Sequence, residues 1–584
     1  MTEPPTANAV THGEAQAHLS ASPLALSHGV GFPSPRSMSS PMTEMSEQAS
    51  LHVGRVTWAT RERGLVRSPY PRVVGRTLRR LAHVRVALWG RALENLRRTQ
   101  ERTLASLIDY AKDTEFGRAH GFASIRGYDD FVRRVPLGDY DSFSPHIDRM
   151  RAGERNVLAP GFVRYFGNSS GSSNHGRPKF LPLTERLIRL QRRAGSDVLM
   201  RYLSWSGDEE LFCGFTLGLF PPTTPRPEGP VLITSNPALM MTKMPVVTRP
   251  VYLPEDDVRT ITNYDEKLRC IAERYIDHDV RALAGTTCWF TLLFEKVLAA
   301  ARARGRSAAT ISDVWPSLRV LFGGGVAAAP YLPVIRDLVG RGDVTLVDTY
   351  NASEGGVFAA TDFTGRRGML MLPHCGTFFE FRPLETRDSS PAARVPLWSV
   401  ERDRPYSIVV TSSAGLYAYE LGDIVRFPSV DPPRIEFMGR LSGCLSVTQE
   451  LTTHVEIEQA FEEARRSCPC VAIDFAAAAE VGVGGSAKSR YLLFVEFEQG
   501  AQPSDLAAFA REFDQGLCKQ NRVYREHRAG EVALLPPRVV LLAHGGARRF
   551  LEEVTRGNVQ GKFPRIIDDT KTQLLWRHAA QSAR

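Results

Sequence analysis

The apolar residues of this chain recur with two periods, and the alternation between them marks its elements. From about 70 to 115, Leu81, Val84, Val86, Leu88, Leu93, Leu96, Leu104 and Leu107 alternate with arginines at helical spacing. That pattern predicts an amphipathic helix with a solvated basic face. From about 160 to 440, short β-rich runs alternate with helical stretches. Phe162-Val163-Arg164-Tyr165-Phe166 reads as a strand, as does Leu318-Arg319-Val320-Leu321-Phe322; a helix over Pro330 to Val339 and a strand at Val344-Thr345-Leu346-Val347 follow. This rhythm predicts an α/β domain with parallel pairing. Phe378-Phe379-Glu380-Phe381 and Ser407-Ile408-Val409-Val410-Thr411 add strands. Beyond about 445 the order restarts: a helix at 452–466, strands at 471–475 and 491–498, and a long helix at about 503–527. The expected organisation is a tail at 1–55, a large domain at 70–440 and a smaller α+β module at 445–575. The first 50 residues or so are rich in Ala, Ser, Pro and His without apolar periodicity, which predicts disorder. Met-Thr-Glu recurs at Met42, so a later start would remove most of the tail.

Composition narrows the partners. The 584 residues are 43% hydrophobic, enough for a sizeable core, and 73 basic against 64 acidic side chains leave a net charge of +9. That balance favours anionic ligands. No aromatic interleaving or nucleic-acid motif accompanies the arginines, so no nucleic-acid partner is expected. Nine of the basic residues are lysines, two of them, Lys179 and Lys562, in segments read below as functional. The eight cysteines show no Cys-x-x-Cys pair, which argues against structural zinc and a disulfide framework and points to reduced thiols in a cytoplasmic enzyme. No apolar run reaches membrane-spanning length and no signal pattern opens the chain; a monomer without membrane attachment is expected.

Six segments carry candidate chemistry. Asn168-Ser169-Ser170-Gly171-Ser172-Ser173-Asn174-His175-Gly176-Arg177-Pro178-Lys179 packs hydroxyls, glycines and a lysine into one turn-forming stretch. Hydroxyls and free N–H groups wrap phosphate oxygens, and a compact ammonium suits them. The spacing is not that of a Walker loop, and a Ser/Gly linker has the same composition. Gly323-Gly324-Gly325 follows a strand, as where a flat ring passes close to backbone, or at a plain turn. Asp348-Thr349-Tyr350-Asn351-Ala352-Ser353-Glu354-Gly355-Gly356 offers a ring, a hydroxyl and a carboxylate for base stacking and magnesium. Gly415 to Asp423 ends in a carboxylate able to accept from a ribose diol, though Gly-Asp is more often a solvated turn. Phe437-Met438-Gly439-Arg440 lies where the composition changes, as a hinge would. Gln560-Gly561-Lys562-Phe563-Pro564-Arg565 sets two cations on a Gly/Pro-flanked loop.

In this order and spacing the segments resemble the auxin-responsive acyl acid-amido synthetase family, similar in turn to the wider adenylate-forming enzymes. Phe131-Val132-Arg133-Arg134-Val135-Pro136-Leu137, Ile147 to Glu154, Pro316-Ser317-Leu318, Pro330-Tyr331 and Asn521-Arg522-Val523-Tyr524 fit as well, so the resemblance runs from about 70 to 570. It implies an α/β fold: a large N-terminal adenylate-forming domain of β-sheets and flanking helices, and a smaller mobile α+β C-terminal domain. It also implies roles. Ser169, Ser170, Gly171, Ser172, Ser173 and Lys179 would hold the ATP phosphates; Gly324, Gly325, Tyr350 and Ser353 would flank the nucleotide. Glu354 would hold Mg2+, Asp423 the ribose, Arg440 the hinge, and Lys562 would approach the α-phosphate on closure. The implied reaction adenylates a small carboxylic acid and passes the acyl group to an amine or amino acid. Transfer to a thiol or carrier, or a non-catalytic nucleotide-binding role, are the alternatives. Ser172 stands where the family often has threonine, and Ser446 to Leu451 is closer to bacterial members than to plant ones. The acyl pocket is expected within about 230–295, for example at Met240, Met241, Trp289 and Phe290, with core packing as the competing reading.

Overall fold

The computed structural model describes residues 65–169, 179–326, 328, 331–386, 393–441, 443–448, 450–554 and 563–580. All of these belong to one compact unit; the expected tail lies outside them. The arginine-rich stretch forms two helices, Arg72–Glu94 and Leu96–Ala111, broken at Asn95. The first buries Gly75, Ala82 and Trp89. Gly75 admits no side chain, because a Cβ there would meet the Glu209 carbonyl oxygen at 1.9 Å. Arg85 Nε donates to Asp197 Oδ1 (2.6 Å), tying this helix to the Glu185–Ser206 helix. Among the described residues no helix is long and apolar enough to cross a membrane.

A twelve-stranded sheet dominates. One half is parallel, as the strand–helix–strand rhythm implies: Tyr252–Leu253, Phe215–Leu219, Val280–Gly285, Val320–Gly324 and Thr345–Ala352 lie side by side. The other half is antiparallel, which the sequence reading did not anticipate. It runs from Gly356–Ala360 through Met369–Met371, Pro433–Arg440, Leu416–Val430, Pro405–Ser412 and Phe378–Pro383 to Val395–Pro396. Short hairpin connections leave no room for the crossovers that parallel strands need. The Thr287–Ala303 helix covers the parallel half with a core of Trp289, Phe290, Leu293, Phe294 and Trp315. A separate core of Phe131, Phe166, Phe378, Phe379, Tyr417 and Tyr419 serves the antiparallel half.

Three smaller sheets complete the described fold, one of them only the two-stranded pair Cys444–Leu445 and Thr452–Thr453. Tyr165–Ser169 pairs antiparallel with Lys179–Pro182 and parallel with Val231–Thr234. The expected strand at 162–166 is therefore displaced toward the Ser/Gly segment. Nearer the C-terminus, Ala472–Glu480, Arg490–Phe497 and Arg538–Leu541 form a three-stranded sheet under the His454–Ser467 and Leu506–Gln520 helices. The helix expected over 503–527 is two helices. Asn521 ends the first and caps the next, accepting from the Tyr524 amide (2.9 Å) while its Nδ2 donates to the Glu450 carbonyl (2.8 Å). An asparagine committed to both bonds cannot continue a helix.

Beneath the parallel strands lies a buried ionic layer. Arg319 donates to Asp208 (2.6 Å) and Glu210 (3.0 Å), and Arg281 pairs with Asp279 (2.7 Å). Removing one partner of such a pair leaves an uncompensated buried charge. Arg319→Met is expected to lower unfolding stability by about 3–5 kcal/mol in urea titrations. Glu101→Gln, at the exposed Arg97–Glu101 pair, is expected to change it by less than about 1 kcal/mol.

Candidate active site

The site forms where the sheet halves meet. Asp423 lies inside the Leu416–Val430 strand and faces Arg440 in register, with Arg440 Nε 2.7 Å from Asp423 Oδ1. It is buried, not the solvent-facing acid of a Gly turn; Gly422, with φ +80°, supplies the local twist. Tyr350 Oη donates to Asp423 Oδ2 at 2.6 Å. Their strands stand four ladder steps apart, roughly 19 Å in a flat sheet. One tyrosine spans that gap only because the sheet curls and brings the two inner faces together. Phe358 packs edge-on against Tyr350 (5.7 Å), and half-exposed Phe437 lies tilted beside it (6.3 Å).

Glu354 does not follow a strand that ends near Val347, as the sequence suggested. That strand continues to Ala352, and Glu354 occupies the hairpin turn leading to Gly356–Ala360. Ser353 precedes it in the same turn. Ser412 Oγ donates to the Glu354 carbonyl and Thr377 Oγ1 to the Gly355 carbonyl (2.9 Å), so the end of one strand and the loop leading into another hold the turn. Gly355 cannot carry a side chain, since a Cβ would meet the Phe358 ring at 2.6 Å. Burial pushes the Glu354 carboxyl up; the turn's own amide, Lys179 and Arg440 pull the other way.

Lys179 opens the Lys179–Pro182 strand and pairs in register with Ser169. The Ser/Gly stretch is thus the connection of a hairpin whose last described residues are Ser169 and Lys179. Ser170, Gly171, Ser172 and Ser173 lie outside the described residues, as does Lys562. The Lys179 ammonium sits over the Tyr140 ring (5.3 Å), and Tyr140 Oη accepts from the Phe180 amide (2.8 Å). Burial pushes the Lys179 ammonium down, opposed by Glu354.

The glycine run owes part of its composition to the scaffold. A Cβ at Gly323 would meet Thr287 Oγ1 at 2.5 Å, and one at Gly324 would meet Thr349 at 2.6 Å. Gly325 takes φ +81° at the strand end. Lys179, Tyr350, Glu354, Asp423 and Arg440 thus converge at one place, with Lys179, Asp423 and Arg440 all acting electrostatically on Glu354. The expected acyl-pocket residues are divided: Trp289 and Phe290 lie in the core of the parallel half, Met240 packs against the same core as Tyr350, and Met241 is buried. Tyr140, Ser412 and Thr377 escaped the sequence reading: Ser412 and Thr377 act through one hydroxyl each, Tyr140 through ring and hydroxyl, and none stands in a motif.

Beside this site the C-terminal module docks on the helical layer. Tyr331 Oη donates to the Val447 carbonyl, the Ala487 amide donates to Glu295 (2.7 Å), and the His527 ring meets Trp289 edge-on (5.1 Å). The residues after Lys562 are anchored to the small sheet. The Ala477 amide donates to the Arg565 carbonyl (2.8 Å), and Arg565 pairs with Asp474 (2.9 Å) and Glu458 (3.1 Å).

Three family models match in succession: the GH3 family N-terminal domain over 89–229, the central domain over 369–440 and the C-terminal domain over 453–571. The chain belongs to the GH3 family. Among its relatives is the jasmonoyl–L-amino acid synthetase GH3.5 of Oryza sativa subsp. japonica, 30% identical over 298 residues. That match covers 47% of this chain and half the length of the rice protein. The indole-3-acetic acid-amido synthetase GH3.3 of Arabidopsis thaliana is 22% identical over 551 residues, 81% of this chain and 89% of that one. In structure this GH3 chain is similar to the AtGH3.15 acyl acid amido synthetase in complex with 2,4-DB. The TM-score is 0.55 at 17% identity, over 86% of this chain and 96% of that one. The shared architecture is the mixed α/β fold described above.

Asp348, two residues before Tyr350 on the same strand, has its carboxyl pushed up to about 7 by burial. An acid whose folded value exceeds its ordinary 3.8 contributes stability that is complete below 3.8 and is lost as pH rises through about 7. Asp348→Asn is expected to flatten the decline in melting temperature across that window. A wild-type and variant profile of equal slope would contradict the assignment.

Proposed function

We propose that this GH3 protein is an ATP-dependent ligase that converts a small carboxylic acid to its acyl-adenylate and transfers the acyl group to an amine or amino acid. The observation that carries this reading is the convergence of Lys179, Glu354, Asp423 and Arg440, drawn from four separate segments, beside the Ser/Gly hairpin. The named relatives are amino-acid conjugating synthetases, and the same chemistry is proposed here.

In this reading Ser169, Ser170, Gly171, Ser172 and Ser173 cradle the ATP phosphates with Lys179, and Asp423, held by Tyr350 and Arg440, accepts from the ribose. Gly324, Gly325, Tyr350 and Ser353 border the base and sugar. Glu354 is the fitting residue for Mg2+: a hard carboxylate whose turn is braced by Ser412 and Thr377. When bound, the ion supplies charge neutralisation at the phosphates. The acid's carboxylate attacks the α-phosphorus and pyrophosphate leaves; Lys179 and Lys562 offset the negative charge that grows on the phosphoryl oxygens. The amine then attacks the acyl carbon, its proton is lost, and AMP departs. Closure of the C-terminal module would bring Lys562 in and keep water from the adenylate. Residues 70–440 and 445–575 are the proposed large domain and lid, with Arg440 at their hinge.

The test is an acid screen read by ATP–pyrophosphate exchange and hydroxamate trapping. An active acid is expected to support exchange that Lys179→Ala and Lys562→Ala each lower by about 10²-fold or more. Lys562→Ala is expected to retain ATP binding. Exchange unchanged in both variants would remove the proposed roles, and product formation with thiols but not amines would reassign the acceptor.

A further inference from the structure

Away from the candidate active site, Asp197, His374 and Cys375 place their ligand-type atoms within 4.8 Å of one another. No sequence spacing announces the group. Asp197 is buried in the middle of the Glu185–Ser206 helix, while His374 and Cys375 occupy the turn before the Phe378–Pro383 strand.

The turn is held rigidly. Gln100 Nε2 donates to the carbonyls of Pro373 (2.7 Å) and Thr377 (3.0 Å), and Gln100 Oε1 accepts from the Phe379 amide (2.8 Å). Gly376 takes φ +88°, and a Cβ there would strike Leu190 at 2.6 Å. Trp89 covers one side of the imidazole at 5.2 Å. Within this frame His374 Nε2 lies 3.0 Å from Asp197 Oδ2 and 3.7 Å from Cys375 Sγ. These separations bracket the roughly 3.4 Å edge of a tetrahedral zinc sphere with bonds of 2.0–2.3 Å. His374 Nδ1 is buried and makes no hydrogen bond.

We propose that Asp197, His374 and Cys375 form a binding site for a zinc-class divalent cation that clamps the Glu185–Ser206 helix to the 372–377 turn. Thiolate, imidazole and carboxylate together select borderline metals over Mg2+ or Ca2+. On binding, the Cys375 thiol releases its proton to solvent as the sulfur–metal bond forms, and the two anionic ligands match the ion's charge. Arg85 is the outer support: its Nε donates to Asp197 Oδ1 at 2.6 Å and its Nη2 to Oδ2 at 3.1 Å, so the metal enters at Oδ2 by replacing the His374 contact and loosening that second bond. Arg85 and Arg193 are the cations that act electrostatically on Cys375, and the metal binds against their charge. The His374 side chain is 15% exposed, so water completes the fourth position.

The clamp bears on the Glu354 turn. Thr377, at the end of the same loop, holds the Gly355 carbonyl, and Gln191 of the same helix lies against Gly356, where a Cβ would meet its Cγ at 2.7 Å. Metal binding itself does not rest on the proposed ligase activity, and its test reads binding directly. Full-length protein is stripped with chelator and titrated with Co2+. The expected result is a thiolate-to-cobalt charge-transfer band that saturates at one equivalent and is displaced by Zn2+. Cys375→Ala should abolish the band, and Cys213→Ser should keep it. Zn2+ should raise the Tm of wild type but not of His374→Gln, a readout that stands even if Cys375→Ala folds poorly. The absence of a band, a band that survives Cys375→Ala, or an equal Zn2+ effect on His374→Gln would overturn the proposal.

Discussion

The curl of the central sheet is the constraint on which the candidate site depends. Tyr350 and Asp423 belong to strands separated by three others, yet they share a 2.6 Å hydrogen bond. Register shifts along the Leu416–Val430 strand, together with left-handed Gly422, bend the antiparallel half back over the parallel half. Without that bend, Glu354 at the hairpin tip and Asp423 in the strand would face unconnected regions. The Arg440–Asp423 pair then lies where the main sheet ends and the chain leaves for the C-terminal module, so closing the sheet and joining the lobes involve the same residues.

The parallel half of the fold was legible because its strands are largely buried and carry short apolar runs, as at Val320 to Phe322, although the strand begins two residues later than expected and runs on to Gly324. The antiparallel half supplied equally apolar strands at 378–381 and 407–411, but their partners are fixed by hairpins and bulges that carry no periodic signal. Length was misread where a strand runs on through polar residues: Thr349, Tyr350 and Asn351 continue the ladder that seemed to end at Val347. Asn521 broke a helix whose apolar spacing was unbroken, because its amide found a partner far away at Glu450.

For the site, charged and aromatic residues inside glycine-flanked segments were recoverable: Lys179, Tyr350, Glu354 and Asp423 do meet. Their supports were not. Tyr140 steadies Lys179 through ring and hydroxyl, and Ser412 and Thr377 brace the Glu354 turn through single bonds to backbone oxygens. Such contacts depend on chain topology and leave no local pattern. The same holds for Asp197 and His374, 177 positions apart and 3.0 Å apart in space.

Gly323 and Gly324 carry a lesson for reading relatives. Neighbouring strand and helix atoms already fill the volume that any side chain would need at either position. Packing alone is therefore enough to keep both sites as glycine, in a homologue that handles nucleotide and in one that has lost the ability. Invariance there would report the architecture, and only residues such as Glu354, which the scaffold does not force, can tell a working member from a silent one.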